Sequence, residues 1–113
     1  MMKIKQPCKP VVCADGFTVS IQGSQFHYCE PREDYPQDGY TSLELGFPSA
    51  EDPLIQEYAE TPSKPTDTVY PGVPLRDVCE LIANHGGLVS ETPLPEGLDH
   101  AIEFYNELHK DLP

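Results

Sequence analysis

The sequence predicts an α+β fold: a small, mainly antiparallel sheet of three to five strands, one main helix packed on a face, and a C-terminal helix. Three observations carry this. Residues 11–22 place apolar runs on either side of an Asp15-Gly16 turn, as a half-buried hairpin does. Residues 40–47 alternate apolar and polar side chains. Leu75, Val78, Cys79 and Ile82 recur at the spacing of one helix face.

The elements follow in order. Residues 1–10 form an extended arm, because Pro7 and Pro10 lack the N–H that a central ladder needs. The arm leads into a short strand at Val11, Val12 and Cys13. At the turn, Gly16 accepts positive φ and Asp15 bonds nearby backbone. Phe17, Val19 and Ile21 then face the core, while Thr18, Ser20 and Gln22 face solvent. Gly23-Ser24 turns the chain into a further strand over residues 25–30, and a polar loop covers 31–39. In the strand at 40–47, Leu43, Leu45 and Phe47 point inward and Ser42 and Glu44 outward. Asp52-Pro53 starts a peripheral helix over residues 52–60, with Leu54, Ile55 and Tyr58 on its apolar side.

Residues 67–70 read as an edge strand that Pro71-Gly72 ends. Pro74 opens the main helix, which runs to His85, suited to the negative dipole end, and Gly86, suited to a left-handed cap. Pro93 and Pro95 mark a linker. Leu98, Ala101, Ile102, Tyr105 and Leu108 give a final helix an apolar face that must dock on the sheet, on another subunit or on a partner. The chain thus divides into an α+β core over 1–90 and, over 91–113, a proline-containing linker with an amphipathic helix. At 113 residues there is room for one modest core. Thirteen prolines, against an average usage of about 5%, predict short elements joined by stiff loops.

Charge narrows the function. Seven basic residues stand against 19 acidic ones, a net charge of −12. The asymmetry is strong: residues 1–32 carry four bases and two acids, and residues 33–113 carry three bases and 17 acids. Direct nucleic-acid binding needs a basic face, so it is not expected. An acidic surface for a basic protein partner, or a small anion site near the first strands, is compatible. The first residues are charged and no apolar leader follows, and no run approaches the roughly 18 apolar residues of a membrane helix. A cytoplasmic protein with reduced thiols and no membrane association is expected.

Several chemistries find little support. His27 and Cys29 share a strand face, and with Cys8 and Cys13 they have the composition of a zinc site. The four-residue gap between Cys8 and Cys13 lacks the tight knuckle spacing, and Cys13 and Cys29 read as small buried hydrophobes, so neither metal nor other cofactor is assigned. Thiol catalysis needs a base and an electropositive setting, which Cys29 beside His27 does not supply alone. Neither glycine-rich phosphate loop is present, and Asp15, Asp34 and Asp38 do not follow calcium-loop spacing. The chain is therefore read as non-enzymatic.

The cluster that points to a ligand is His27, Tyr28 and Arg32, with Lys9 on the adjoining arm and Tyr40 opening the next strand. Arginine binds phosphate or carboxylate with two parallel donors, and tyrosine rings offer stacking faces. Such a set suits a nucleotide-like anion at the sheet edge. A second feature is the run of Glu33, Asp34, Asp38, Glu44, Glu51, Asp52, Glu57 and Glu60, whose spaced carboxylates can imitate a phosphate backbone or simply form a solvated face.

The strings CADGFTVSIQ, HYCEPR, YTSLELGFPS, YAETPSKPTDTVY and NHGG resemble small proteins encoded by tailed bacteriophages and prophages, over roughly residues 3–89. The resemblance implies a bacterial cytosol during infection and a binder that disables a host defence, by sequestering a nucleotide signal or covering a host protein. Alternatives are an acidic nucleic-acid mimic that covers a host DNA- or RNA-binding protein, and a virion or assembly component that oligomerises through its C-terminal helix.

Overall fold

The computed structural model describes residues 5–110, so the first four residues of the expected arm and the last three of the chain lie outside it. Four antiparallel strands run in chain order across one sheet: β1 (Val11–Val12), β2 (Thr18–Gln22), β3 (Ser42–Gly46) and β4 (Val69–Pro74). Helix α1 (Leu75–Asn84) follows β4 and packs on β3 and β4, and α2 (Leu98–His109) packs on α1. This is the α+β arrangement that the alternation and the helical stripe predict.

Its local causes are the expected ones. The Asp15 carboxylate accepts the Phe17 N–H at 2.9 Å while Gly16 takes φ +94°, and β1 and β2 pair with Val11 opposite Val19. Val19 and Ile21 of β2, Leu43 and Leu45 of β3, and Tyr70 and Val73 of β4 are all buried. They meet Val78, Leu81 and Ile82 of α1, and each large apolar side chain taken out of water contributes about 1.5–3 kcal/mol. Pro74 caps α1, and Gly86 takes φ +90° just past its end. Leu98, the first residue of α2, is buried in the same core. The stretch before it is tied down, with the Glu96 carbonyl accepting the Tyr40 N–H.

Both margins of the sheet meet other backbone. Val89 and Ser90 donate to the Val12 carbonyl, and Ala14 donates to Gly87. On the opposite margin, Glu60 donates to the Val69 carbonyl.

Five expectations are corrected. Residues 25–30 are not a strand; they form bends and turns, and only Glu30 bridges, to Ser42. Ser24 and Asp34 side chains take the backbone donors there, which competes with a ladder. The helix over 52–60 is reduced to a 3-10 turn at Gln56–Tyr58. Asp52 does accept the Leu54 N–H, but Glu60 is drawn out to bond β4. Pro71-Gly72 does not end the last strand: it is a bulge inside β4, where Tyr70 pairs with Leu45 and Val73 with Leu43, and Gly72 takes φ +63°. Phe47 points outward, because β3 stops at Gly46 and Phe47 enters the left-handed region at φ +51°. Gln22 and Ser42 are buried rather than solvent-facing. The Gln22 amide pairs with the Cys8 backbone through both its oxygen and its nitrogen, at 2.8 and 2.7 Å, and so docks the arm.

Candidate functional site

Residues 24–39 connect β2 to β3 as a long loop without regular structure. Its ends meet: a Cβ on Gly23 would stand 2.7 Å from the Tyr40 ring. Compact loops of this length with closed ends are frequently functional. The interior is held by the loop's own polar groups. Ser24 Oγ accepts the Phe26 N–H at 3.0 Å and lies 2.6 Å from His27 Nδ1. The Asp34 carboxylate accepts the Gln25 N–H and its side-chain amide, and the backbone donor in particular holds its pKa below the usual carboxylate value. Beneath the loop, the Tyr40 hydroxyl donates to the Glu33 carbonyl at 2.6 Å and accepts from Lys5 Nζ at 3.1 Å. The Lys5 ammonium also donates to the Asp34 carbonyl at 2.8 Å and pairs with Glu96. Burial alone lowers its pKa, but the bonds to Glu96 and Tyr40 outweigh that and raise it.

On this base the loop displays Phe26, Tyr28, Tyr35 and Arg32, all exposed. The Arg32 guanidinium lies over the Tyr28 ring, 4.6 Å from its centroid. Among the described residues it forms no ion pair, although Glu30 and Glu33 flank it in a chain with 19 acids. The peptide between Glu30 and Pro31 is cis.

Tyr28 and Arg32 line a notch of about 290 Å³ with Cys29, Glu30, Ser42, Pro71 and Gly72. The bulge in β4 makes its far wall. It sets Pro71 and Gly72 out of the ladder, and the Gly72 N–H donates to the Tyr28 carbonyl at 2.9 Å. From the sheet side, Glu44 accepts the Tyr28 N–H at 3.2 Å. The notch therefore offers a guanidinium with no ion pair among the described residues, an aromatic face, and the Glu30 carboxylate, which accepts the Ser42 hydroxyl at 3.4 Å.

Of the five residues singled out from sequence, the structure brings Tyr28 and Arg32 together and leaves three elsewhere. Tyr40 is buried, 2% exposed, and burial is the main cause of its raised pKa; it braces the loop rather than offering a face. His27 is half-buried against Ser24, inside the loop, and does not line the notch. Lys9 is exposed on the arm and does not line it either. Sequence reasoning missed Glu30, Ser42 and the Pro71-Gly72 wall. The available signal was the Pro-Gly pair between Tyr70 and Val73, which a strand accommodates at a sheet edge or in a bulge.

A second cluster was not foreseen. The His85 ring, just past α1, lies 2.6 Å from Asp15 through Nδ1 and 2.8 Å from Asp52 through Nε2, and stacks on Phe17 with centroids 3.9 Å apart. With a carboxylate at each nitrogen, the doubly protonated ring is the form that satisfies both. Burial lowers the imidazole pKa, but the two carboxylates outweigh it and raise it above the ordinary value. The cluster joins the first hairpin turn, the end of α1 and the loop after β3.

All four thiols are free and burial raises the pKa of each. Among the described residues no three His, Cys, Asp or Glu side chains converge as a metal-binding group, and no helix is long and apolar enough to cross a membrane.

Fold and site together define a small α+β protein with a notch built from a braced loop and a strand bulge. Comparison with protein-family models, with curated proteins and with solved structures returns no match.

Proposed function

We propose that this chain is a non-enzymatic binding protein that holds a small nucleotide-like anion in the notch at Tyr28 and Arg32. The observation that carries the reading is the Arg32 guanidinium, without a carboxylate partner among the described residues of a strongly acidic chain and poised on an aromatic ring at the mouth of a concavity. Guanidinium donors match phosphate or carboxylate oxygens, and the ring-guanidinium stack offers a flat platform for a base. The Glu30 carboxylate, which already accepts the Ser42 hydroxyl, supplies an acceptor for ring N–H groups, which a purine or pyrimidine edge carries. The notch lies at the lower limit of small-molecule sites, about 300–1,000 Å³. The raised thiol pKa values favour binding over thiol chemistry, since the thiolate is the nucleophile.

On the likeness of its strings to phage and prophage proteins, the ligand is a host signal whose removal disarms a defence. The alternative of an acidic nucleic-acid mimic is weakened by the roles its carboxylates already fill: Asp34 holds Gln25, Glu44 holds Tyr28, and Asp52 holds His85.

Calorimetric titration with adenosine and guanosine mono-, di- and cyclic phosphates tests the proposal. Binding of at least one is expected, weakened about 10- to 100-fold in Arg32→Ala, as the loss of a charge-assisted hydrogen bond implies. Tyr28→Ala weakens it as well, and Lys9→Ala leaves it unchanged. Equal affinity in Arg32→Ala, or no binding by any of these probes, overturns the assignment.

A further inference from the structure

Glu30, on the wall of the notch, is anchored through its own backbone. Its N–H donates to the Ser42 carbonyl at 3.2 Å and its carbonyl accepts the Thr41 N–H at 2.7 Å, so both sides of the residue are tied to the start of β3. One carboxylate oxygen, Oε1, accepts the Ser42 hydroxyl at 3.4 Å, a long bond for two oxygens. The other oxygen has no hydrogen-bond partner among the described residues, and the side chain is exposed. Glu30 and Arg32 are two positions apart and line the same notch, yet no ion pair joins them. The guanidinium lies instead over the Tyr28 ring. Tyr28 is itself pinned, with its N–H bonded to Glu44 and its carbonyl to the Gly72 N–H. Two opposite charges are thus held apart across one small concavity, where a ligand with an anionic end and a donor edge satisfies both.

We infer that Glu30 makes the notch selective for guanine among the nucleobases, an inference that rests on the anion-binding role proposed above for Tyr28 and Arg32. The donor pattern selects that base. An ionised carboxylate only accepts, through two oxygens side by side. Its best match is a pair of neighbouring donors, and guanine presents one in its ring N1–H and the amine on C2. Adenine sets a ring acceptor beside its amine, and cytosine does the same. Uracil flanks its single N–H with two carbonyls. Each of these three turns an acceptor lone pair toward the carboxylate and forfeits one charge-assisted hydrogen bond, the stronger kind. The long Ser42 bond leaves capacity for both guanine donors, because each carboxylate oxygen carries two lone pairs. The phosphate goes to Arg32, so the two charged side chains hold opposite ends of one ligand.

The test titrates the full chain calorimetrically with guanosine, inosine and adenosine monophosphates. Inosine keeps the N1–H and lacks the amine. Guanosine monophosphate should bind at least about tenfold more tightly than adenosine monophosphate, with inosine monophosphate between them. Glu30→Gln should weaken guanosine monophosphate by about tenfold and hold adenosine monophosphate at least as well as the parent does, since the new amide can donate to the adenine ring nitrogen. Its thermal midpoint should stay at the parent value, because the side chain is exposed and keeps its size. Equal affinity for the guanosine and adenosine nucleotides, or an equal loss of both in Glu30→Gln, overturns the guanine preference. If Arg32→Ala still weakens binding in that case, the anion site stands without it. No binding by any of the three overturns both.

Discussion

Replacing His85 by phenylalanine keeps a ring against Phe17 and removes both nitrogens. The bond to Asp52, a carboxylate 13% exposed, is the one whose loss matters, because a hydrogen bond to a charged group contributes about 1.5–3 kcal/mol. The bond to Asp15, on a solvent-open carboxylate, is left out of the sum. Replacement by alanine also removes the stack, worth about 0.5–1.5 kcal/mol, so His85→Ala should cost about 2–4 kcal/mol and His85→Phe less. For a domain of this size, 2–4 kcal/mol lowers the melting temperature by about 8–17 °C.

The pH dependence gives a sharper check. The folded-state pKa of His85 is raised, so its contribution is full below the unfolded value of about 6.5 and is lost as pH rises through the folded value. Asp15 behaves oppositely: its lowered pKa gives a contribution that is present above the unfolded value and lost as pH falls through the folded one. The advantage of the parent over His85→Phe should therefore be greatest at mildly acidic pH and shrink on the alkaline side. Urea unfolding of both proteins across that range measures it. A difference that is flat with pH would refute the doubly protonated clamp.

Two further outcomes follow from backbone geometry. Gly23→Ala should destabilise by about 1–3 kcal/mol, the usual cost of overpacking, since its Cβ would press on Tyr40 at 2.7 Å and on Leu43 at 3.0 Å; thermal unfolding unchanged from the parent would show that the loop base can yield. Phe47→Asn should raise stability by up to about 1 kcal/mol, because asparagine tolerates the left-handed region that an exposed phenylalanine occupies at a cost; a fall in denaturation midpoint would mean that the Phe47 ring has a packing role.

The parts of the fold that were legible in sequence are those whose side-chain period faces a single core. The 18–22 and 42–46 strands and the 75–84 helix bury their stripes where the spacing puts them, apart from Phe47, Gln22 and Ser42, whereas the last helix buries only Leu98 fully and leaves Leu108 exposed. The failures occur where polar side chains compete for the backbone. Ser24 and Asp34 fold residues 25–30 on themselves, so Phe26 and Tyr28 have strand-like propensity but no buried face. Glu60 is recruited by β4, which no local reading of residues 52–60 contains. The site was half legible for a related reason. Tyr28 and Arg32 are close in sequence and meet, whereas Pro71 and Gly72 join them only because a bulge at the far side of the sheet carries them there. The His85 cluster unites residues 70 and 33 positions apart, a distance over which spacing carries no information.

The covered margins of the sheet have a bearing on how this molecule meets others. With Val12 bonded by Val89 and Ser90 on one side, and the Val69 carbonyl taken by Glu60 on the other, those groups are not open to an incoming chain. Strand addition, the usual route from a small sheet to fibres or to indiscriminate peptide capture, is thereby closed off at those positions.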